Sequence, residues 1–80
     1  MEYPGHDEMM RRARAELAER LDLASLAGLH EDEAKRRVED AGYVMRLIRP
    51  GWGLRSDLRI DRVTVYVDEA GTVTDAEGPG

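Results

Sequence analysis

From residue 7 to residue 22 the apolar positions Met10, Ala13, Leu17 and Leu21 recur at intervals of three, four and four. That spacing predicts an amphipathic helix with one narrow, alanine-rich apolar stripe. The pairs Arg12–Glu16 and Glu16–Arg20 stand four apart with opposite charges, each worth roughly 0.2–0.5 kcal/mol. Met9 and Met10 read as packing residues. A stripe of this kind can dock on its own domain, pair with another chain, or fray, because a lone helix of about 12–15 residues is marginal in water. Residues 23–29 form a short apolar connector. A second helix is expected over 31–41, with Ala34, Val38 and Ala41 on its buried face. His30 takes the capping position with Glu33 three residues on, which imitates a capping box with the usual Ser or Thr replaced. Gly42 supplies the stop, where a left-handed residue is commonly needed.

The period then changes. Residues 43–48 are a strand by composition. Residues 49–58 form a connection containing Pro50, Gly51 and Gly53. Residues 60–67 give the clearest alternation in the chain, with Val63, Val65 and Val67 on one face and Thr64 and Tyr66 on the other. Residues 68–71 read as a turn, 72–74 as a short third strand, and 77–80 as a tail.

Eighty residues allow one small domain, which buries only ~60% of the surface its unfolded chain exposes. With no cysteine, disulfides, thiolate metal sites, iron–sulfur clusters and cysteine nucleophiles are excluded. His6 and His30 are too few and too far apart in sequence to make a metal centre or a triad, so no metal and no cofactor are expected. A net charge of −5 argues against a nucleic-acid partner. The charge is uneven, however. Between residues 43 and 67 five arginines (46, 49, 55, 59 and 62) face two aspartates (57 and 61), a local excess of three. Such a positive middle either steers a partner or is a solvated face with structural ion pairs. No apolar run reaches the ~20 residues of a membrane helix. The first residues lack a basic start followed by an apolar core. The chain as given therefore reads as cytoplasmic, or as secreted where a signal has been removed, with no membrane partner.

The string Leu54-Arg55-Ser56-Asp57-Leu58-Arg59-Ile60-Asp61-Arg62-Val63, followed by alternating apolar residues up to Val67-Asp68, resembles the potato inhibitor I family of serine protease inhibitors. That family's pattern is a Thr, a specificity residue, an acidic residue and an aromatic, then Arg-x-Asp-Arg-Val. Asp57 fills the acidic slot, Leu58 the aromatic one, and Arg59-Ile60-Asp61-Arg62-Val63 the last. Leu26-Ala27-Gly28, with Asp32-Glu33-Ala34-Lys35 after it, is similar to the segment leading into the family's single helix. The resemblance covers roughly residues 25–80. It implies an α+β domain over 25–80, with one helix packed on a small mixed sheet and an exposed reactive loop joining two parallel strands. Residues 1–24 would be an N-terminal helical extension. The residue pattern alone does not yield the parallel pairing, because such crossovers usually need a dozen or more residues and a helix.

The same resemblance implies an inhibitor rather than an enzyme. Its reactive loop would be Gly53, Leu54, Arg55, Ser56, Asp57 and Leu58, with Ser56 as the specificity residue and Ser56–Asp57 as the scissile bond. Arg59, Arg62 and the terminal Gly80 would support the loop, with Arg62 donating to Asp57. The chain departs from the pattern at three places. Arg55 stands where the family has Thr, Thr64 where it has a second supporting arginine, and Leu58 where it has an aromatic. A small polar Ser56 suits elastase-like or tolerant subtilisin-like enzymes better than chymotrypsin-like ones. A slip of one residue would put Arg55 in the pocket and point to trypsin-like enzymes. The expected partner is such a serine protease, with the chain a monomer or a weak oligomer through its N-terminal helix. The competing reading is a non-inhibitory protein–protein interaction module that reuses the fold.

Overall fold

A computed structural model describes residues 6–52 and 59–79, with the backbone alone at residues 6 and 7. In chain order these form helix α1 (His6–Arg20), a 3-10 turn (Leu23–Leu26), helix α2 (Glu31–Asp40) and strands β1 (Val44–Ile48), β2 (Arg62–Val67) and β3 (Val73–Glu77). The sheet order is β1-β2-β3, with β1 parallel and β3 antiparallel to β2. The fold is α+β with a mixed sheet, as the resemblance implied.

Helix α1 ends two residues earlier than its apolar period suggested, and Asp22 is the reason. Its backbone is extended, and its carboxylate accepts a hydrogen bond from the Ala24 N–H at 3.1 Å, so it starts the 3-10 turn instead of continuing the helix. Along α1 the ion pairs are Glu8–Arg12 and Glu16–Arg20. Arg12 thus turns to the carboxylate N-terminal to it rather than to Glu16, the better orientation along the helix dipole.

Helix α2 starts where expected. His30 has an extended backbone, and its Nδ1 accepts from the Asp32 N–H at 3.2 Å. Glu33 is engaged by Arg36 and Arg37 one turn on. At the other end the Gly42 N–H donates to the Glu39 carbonyl and the Tyr43 N–H to the Val38 carbonyl, with Gly42 at φ +92°. This is a Schellman motif. It takes up Tyr43, so β1 begins at Val44 and not at Tyr43.

Val63, Val65 and Val67 of β2 form one core with Ala34 and Val38 of α2, Leu26 of the 3-10 turn, Val73 of β3, and Leu17 and Leu21. Leu17 is 1% exposed, so the C-terminal end of the α1 stripe is covered by the chain's own domain. Met10 and Ala13, nearer the N-terminus, are half-buried. The strands depart from expectation at both ends. Ile60 is 54% exposed and lies outside β2, which starts at Arg62. β3 runs to Glu77 rather than stopping at residue 74, because pairing of Ala76 with Val65 and of Glu77 with Thr64 holds a segment of low intrinsic strand preference. Thr72 is left in an isolated bridge to His30.

Candidate functional site

The parallel register sets Val44 opposite Arg62 and Ile48 opposite Tyr66. The connection 49–61 must therefore return along the whole length of β1, about 13 Å at ~3.3 Å per residue. Thirteen residues reach roughly 43 Å when extended, about three times what the return needs. No helix occupies the described parts of this connection. Its central residues Gly53, Leu54, Arg55, Ser56, Asp57 and Leu58, and the terminal Gly80, lie outside the described residues. What the structure describes is the two limbs and the strand beneath.

The entry limb starts at Arg49. The Trp52 N–H donates to the Arg49 carbonyl at 3.1 Å, closing a turn with Pro50 and Gly51 at its centre. Gly51 has φ +83°, which fits a Pro-Gly type II turn. Trp52, the single tryptophan, is 56% exposed just after it. The Arg49 guanidinium donates to Glu31 Oε1, at the start of α2, at 2.7 Å.

The exit limb is held differently. Arg59 donates through two nitrogens to the two oxygens of Asp61, at 2.9 and 2.8 Å. That fork of hydrogen bonds holds the Asp61 carboxyl below its ordinary value; desolvation opposes it, and the charges of Arg59 and Arg62 add to the lowering. The Asp61 carbonyl accepts from the Val44 N–H at 2.8 Å, which ties the limb to the start of β1.

Arg62 follows as the first residue of β2. Strand alternation turns it, with Thr64 and Tyr66, to the sheet face opposite the valine core. Arg62 is 9% exposed and Thr64 3%, so both are buried on that second face, and Arg46 lies beside Thr64 in register. Tyr66 donates its hydroxyl to Glu77 at 2.6 Å. This bond raises the tyrosine pKa, since the phenol is stabilised while it keeps its proton.

The structure thus brings Arg59 and Arg62 to the exit of the 49–61 connection. Two further groups were missed by sequence reasoning, Glu31–Arg49 and Tyr66–Glu77. Their partners are 18 and 11 residues apart, beyond the reach of any local periodicity. Among the described residues no group of three or more His, Cys, Asp or Glu is placed to hold a metal ion. No described helix is long and apolar enough to cross a membrane.

This architecture is a protease-inhibitor fold. It is shared with the crystal structure of a bitter gourd trypsin inhibitor, at a TM-score of 0.63 and 33% sequence identity, over 70% of this chain and 85% of that one. The chain belongs to the family of that inhibitor. No family model and no curated protein matches it.

Proposed function

We propose that the protein is a serine protease inhibitor of the potato inhibitor I type, which presents residues 53–58 as a substrate-like loop with Ser56–Asp57 as the scissile bond. The observation that carries this reading is the parallel β1–β2 pair joined by 49–61, with a buried arginine at the exit. Likeness to a trypsin inhibitor supports it.

A protease attacks a carbonyl held in an oxyanion hole, on a peptide bound in extended form. A loop already held in that form loses little conformational freedom on binding. Once cut, ends that stay in place rejoin faster than they leave. Without a disulfide, hydrogen bonds must do the holding. We assign that role to Arg62, buried just after the exit limb, and a charge-assisted bond to Asp57 is the interaction expected of it. Thr64, where a second supporting arginine would stand, is buried and leaves Arg62 to act without it.

A second register is favoured by the trypsin specificity in the neighbour's name. Arg55 would then enter the specificity pocket, and cleavage would follow it. Titration of the purified protein against subtilisin, elastase, chymotrypsin and trypsin tests both readings. Tight inhibition with slow cleavage at Ser56–Asp57 upholds the first. Trypsin inhibition with slow cleavage after Arg55 upholds the second. Rapid degradation, or no effect on any of the four, overturns inhibition and leaves the interaction-module reading.

A further inference from the structure

We propose that Glu31 and Arg49 form a second brace of the reactive connection, acting on its entry limb from the helix side of the molecule as a positioning pair for inhibition. The inference rests on 49–61 being the inhibitory segment.

Three observations carry it. First, the carboxylate is itself fixed. Glu31 is the first residue of α2, and its N–H donates to the Gly71 carbonyl at 2.8 Å. Its side chain lies against Gly71 so closely that a Cβ there would stand 3.2 Å from Oε2. The helix start and the β2–β3 turn together aim this group. Second, the carboxylate is sequestered. Its side chain is 19% exposed, and Oε2 is buried with no hydrogen-bond partner among the described residues. A carboxylate in that setting needs a compensating cation, and Arg49 supplies one through the 2.7 Å bond to Oε1.

Third, the residue it holds is the pivot of the entry limb. Arg49 follows β1 directly, and its carbonyl closes the turn to Trp52. Fixing its side chain fixes the direction in which the chain leaves the strand. The exit limb already has Asp61, tied to Val44 and forked by Arg59, with buried Arg62 after it. Held at both limbs, the connection loses less freedom on binding than one held at the exit alone.

The test uses the full chain with Arg49→Met, Glu31→Gln and the double variant, neither change altering side-chain volume much. Inhibition constants against the protease the wild type inhibits best are measured beside amide hydrogen exchange at Trp52 and at Val65. The pair as a brace predicts about tenfold weaker inhibition in each single variant, with the double no worse than the poorer single because the two act through one bond. Exchange at Trp52 should quicken by a similar factor while Val65 in the central strand is unchanged. Unaltered inhibition and unaltered Trp52 exchange overturn the proposal. So does a loss of inhibition matched by faster exchange at Val65, which marks general destabilisation. If the wild type inhibits no protease, the inhibitor reading falls separately. Trp52 exchange then decides whether the pair holds the limb, with quickening in Arg49→Met upholding it and no change overturning it.

Discussion

Arg62 lies on the sheet face opposite the valine core, yet only 9% of it is exposed. Arginine is rarely so buried without a partner for its charge. Replacing it tests the proposed brace on Asp57 most directly. Arg62→Met keeps the aliphatic stem and removes the guanidinium. Hydrogen bonds to charged groups contribute roughly 1.5–3 kcal/mol, so cleavage at Ser56–Asp57 should accelerate about tenfold to a hundredfold, read by mass spectrometry of timed digests. An unchanged rate would remove Arg62 from the mechanism. Asp61, one residue earlier, gives a prediction in pH. Its folded-state value lies below the ordinary 3.8, because Arg59 hydrogen-bonds to the ionised form. The unfolded chain therefore binds the proton more readily. The stabilisation is present above the unfolded value and is lost as pH falls through the folded one. Asp61→Asn should lower the unfolding midpoint near pH 7 and converge with the wild type in acid, flattening the acid limb below about pH 4 by the same amount, a small one because exposed pairs contribute little. A midpoint profile that keeps its full acid limb would assign that loss to other carboxylates.

Helix α2 is bounded by side chains and backbone that its own few residues supply. His30 caps the start and the Schellman pair at Gly42 and Tyr43 closes the end. Gly42 sits at φ +92°, and a Cβ there would meet nothing nearer than Arg20 Nη1 at 3.6 Å. The cost of a side chain at this position is thus backbone strain and not a clash. Gly42→Ala should lower stability by about 1–2 kcal/mol, measured by urea denaturation, without altering inhibition. A neutral result would mean that the chain leaves α2 by a different route. The 49–61 connection shows the opposite dependence. Its ends are set by Glu31, Val44 and Asp61, which belong to other elements or to the far limb.

The core crosses the boundary between the N-terminal helix and the sheet. Leu17 packs with Val63 in one cluster, and past β3 the backbone at Gly78 comes so close that a Cβ there would stand 2.9 Å from Leu17 Cδ2. Beside this contact runs a groove of about 350 Å³, lined in part by Arg14, Leu17, Leu21 and Leu23. Large-to-small changes at buried leucines lose about 2–5 kcal/mol. The groove lets neighbours relax toward Leu17, so Leu17→Ala should fall near the lower end, about 2–3 kcal/mol. For a chain of 80 residues, whose whole stability is roughly 4–12 kcal/mol, that is a large share. Met10→Ala, at a half-buried position, should lose less than half as much. Equal effects at the two sites, measured by thermal unfolding, would mean that α1 is covered uniformly and not through its last turn. Inhibition by folded Leu17→Ala protein should be unchanged, because Leu17 packs with Val63 on the core side of the sheet, opposite the face to which strand alternation turns Arg62.

Local chemistry made much of this molecule legible in its sequence. The alternation of Val63, Val65 and Val67, the stop at Gly42 and the cap at His30 each depend on neighbours within a few residues, and each occurs where the pattern places it. Arg59 and Arg62 were legible only through resemblance, because an exposed strand arginine and a buried one look alike in composition. Tertiary structure decided the remainder. Whether β1 and β2 lie parallel depends on the path of a long connection, on which hydrophobic period carries no information. β3 extends to Glu77 because β2 offers it a partner at each step, against its own weak preference for a strand. Leu17 is buried because Val63 and the backbone at Gly78 come to it from more than 40 residues away. The Glu31–Arg49 pair exists for the same reason. Each residue alone reads as a solvated charge, and only the fold sets one beside the other, where burial makes the carboxylate need a cation.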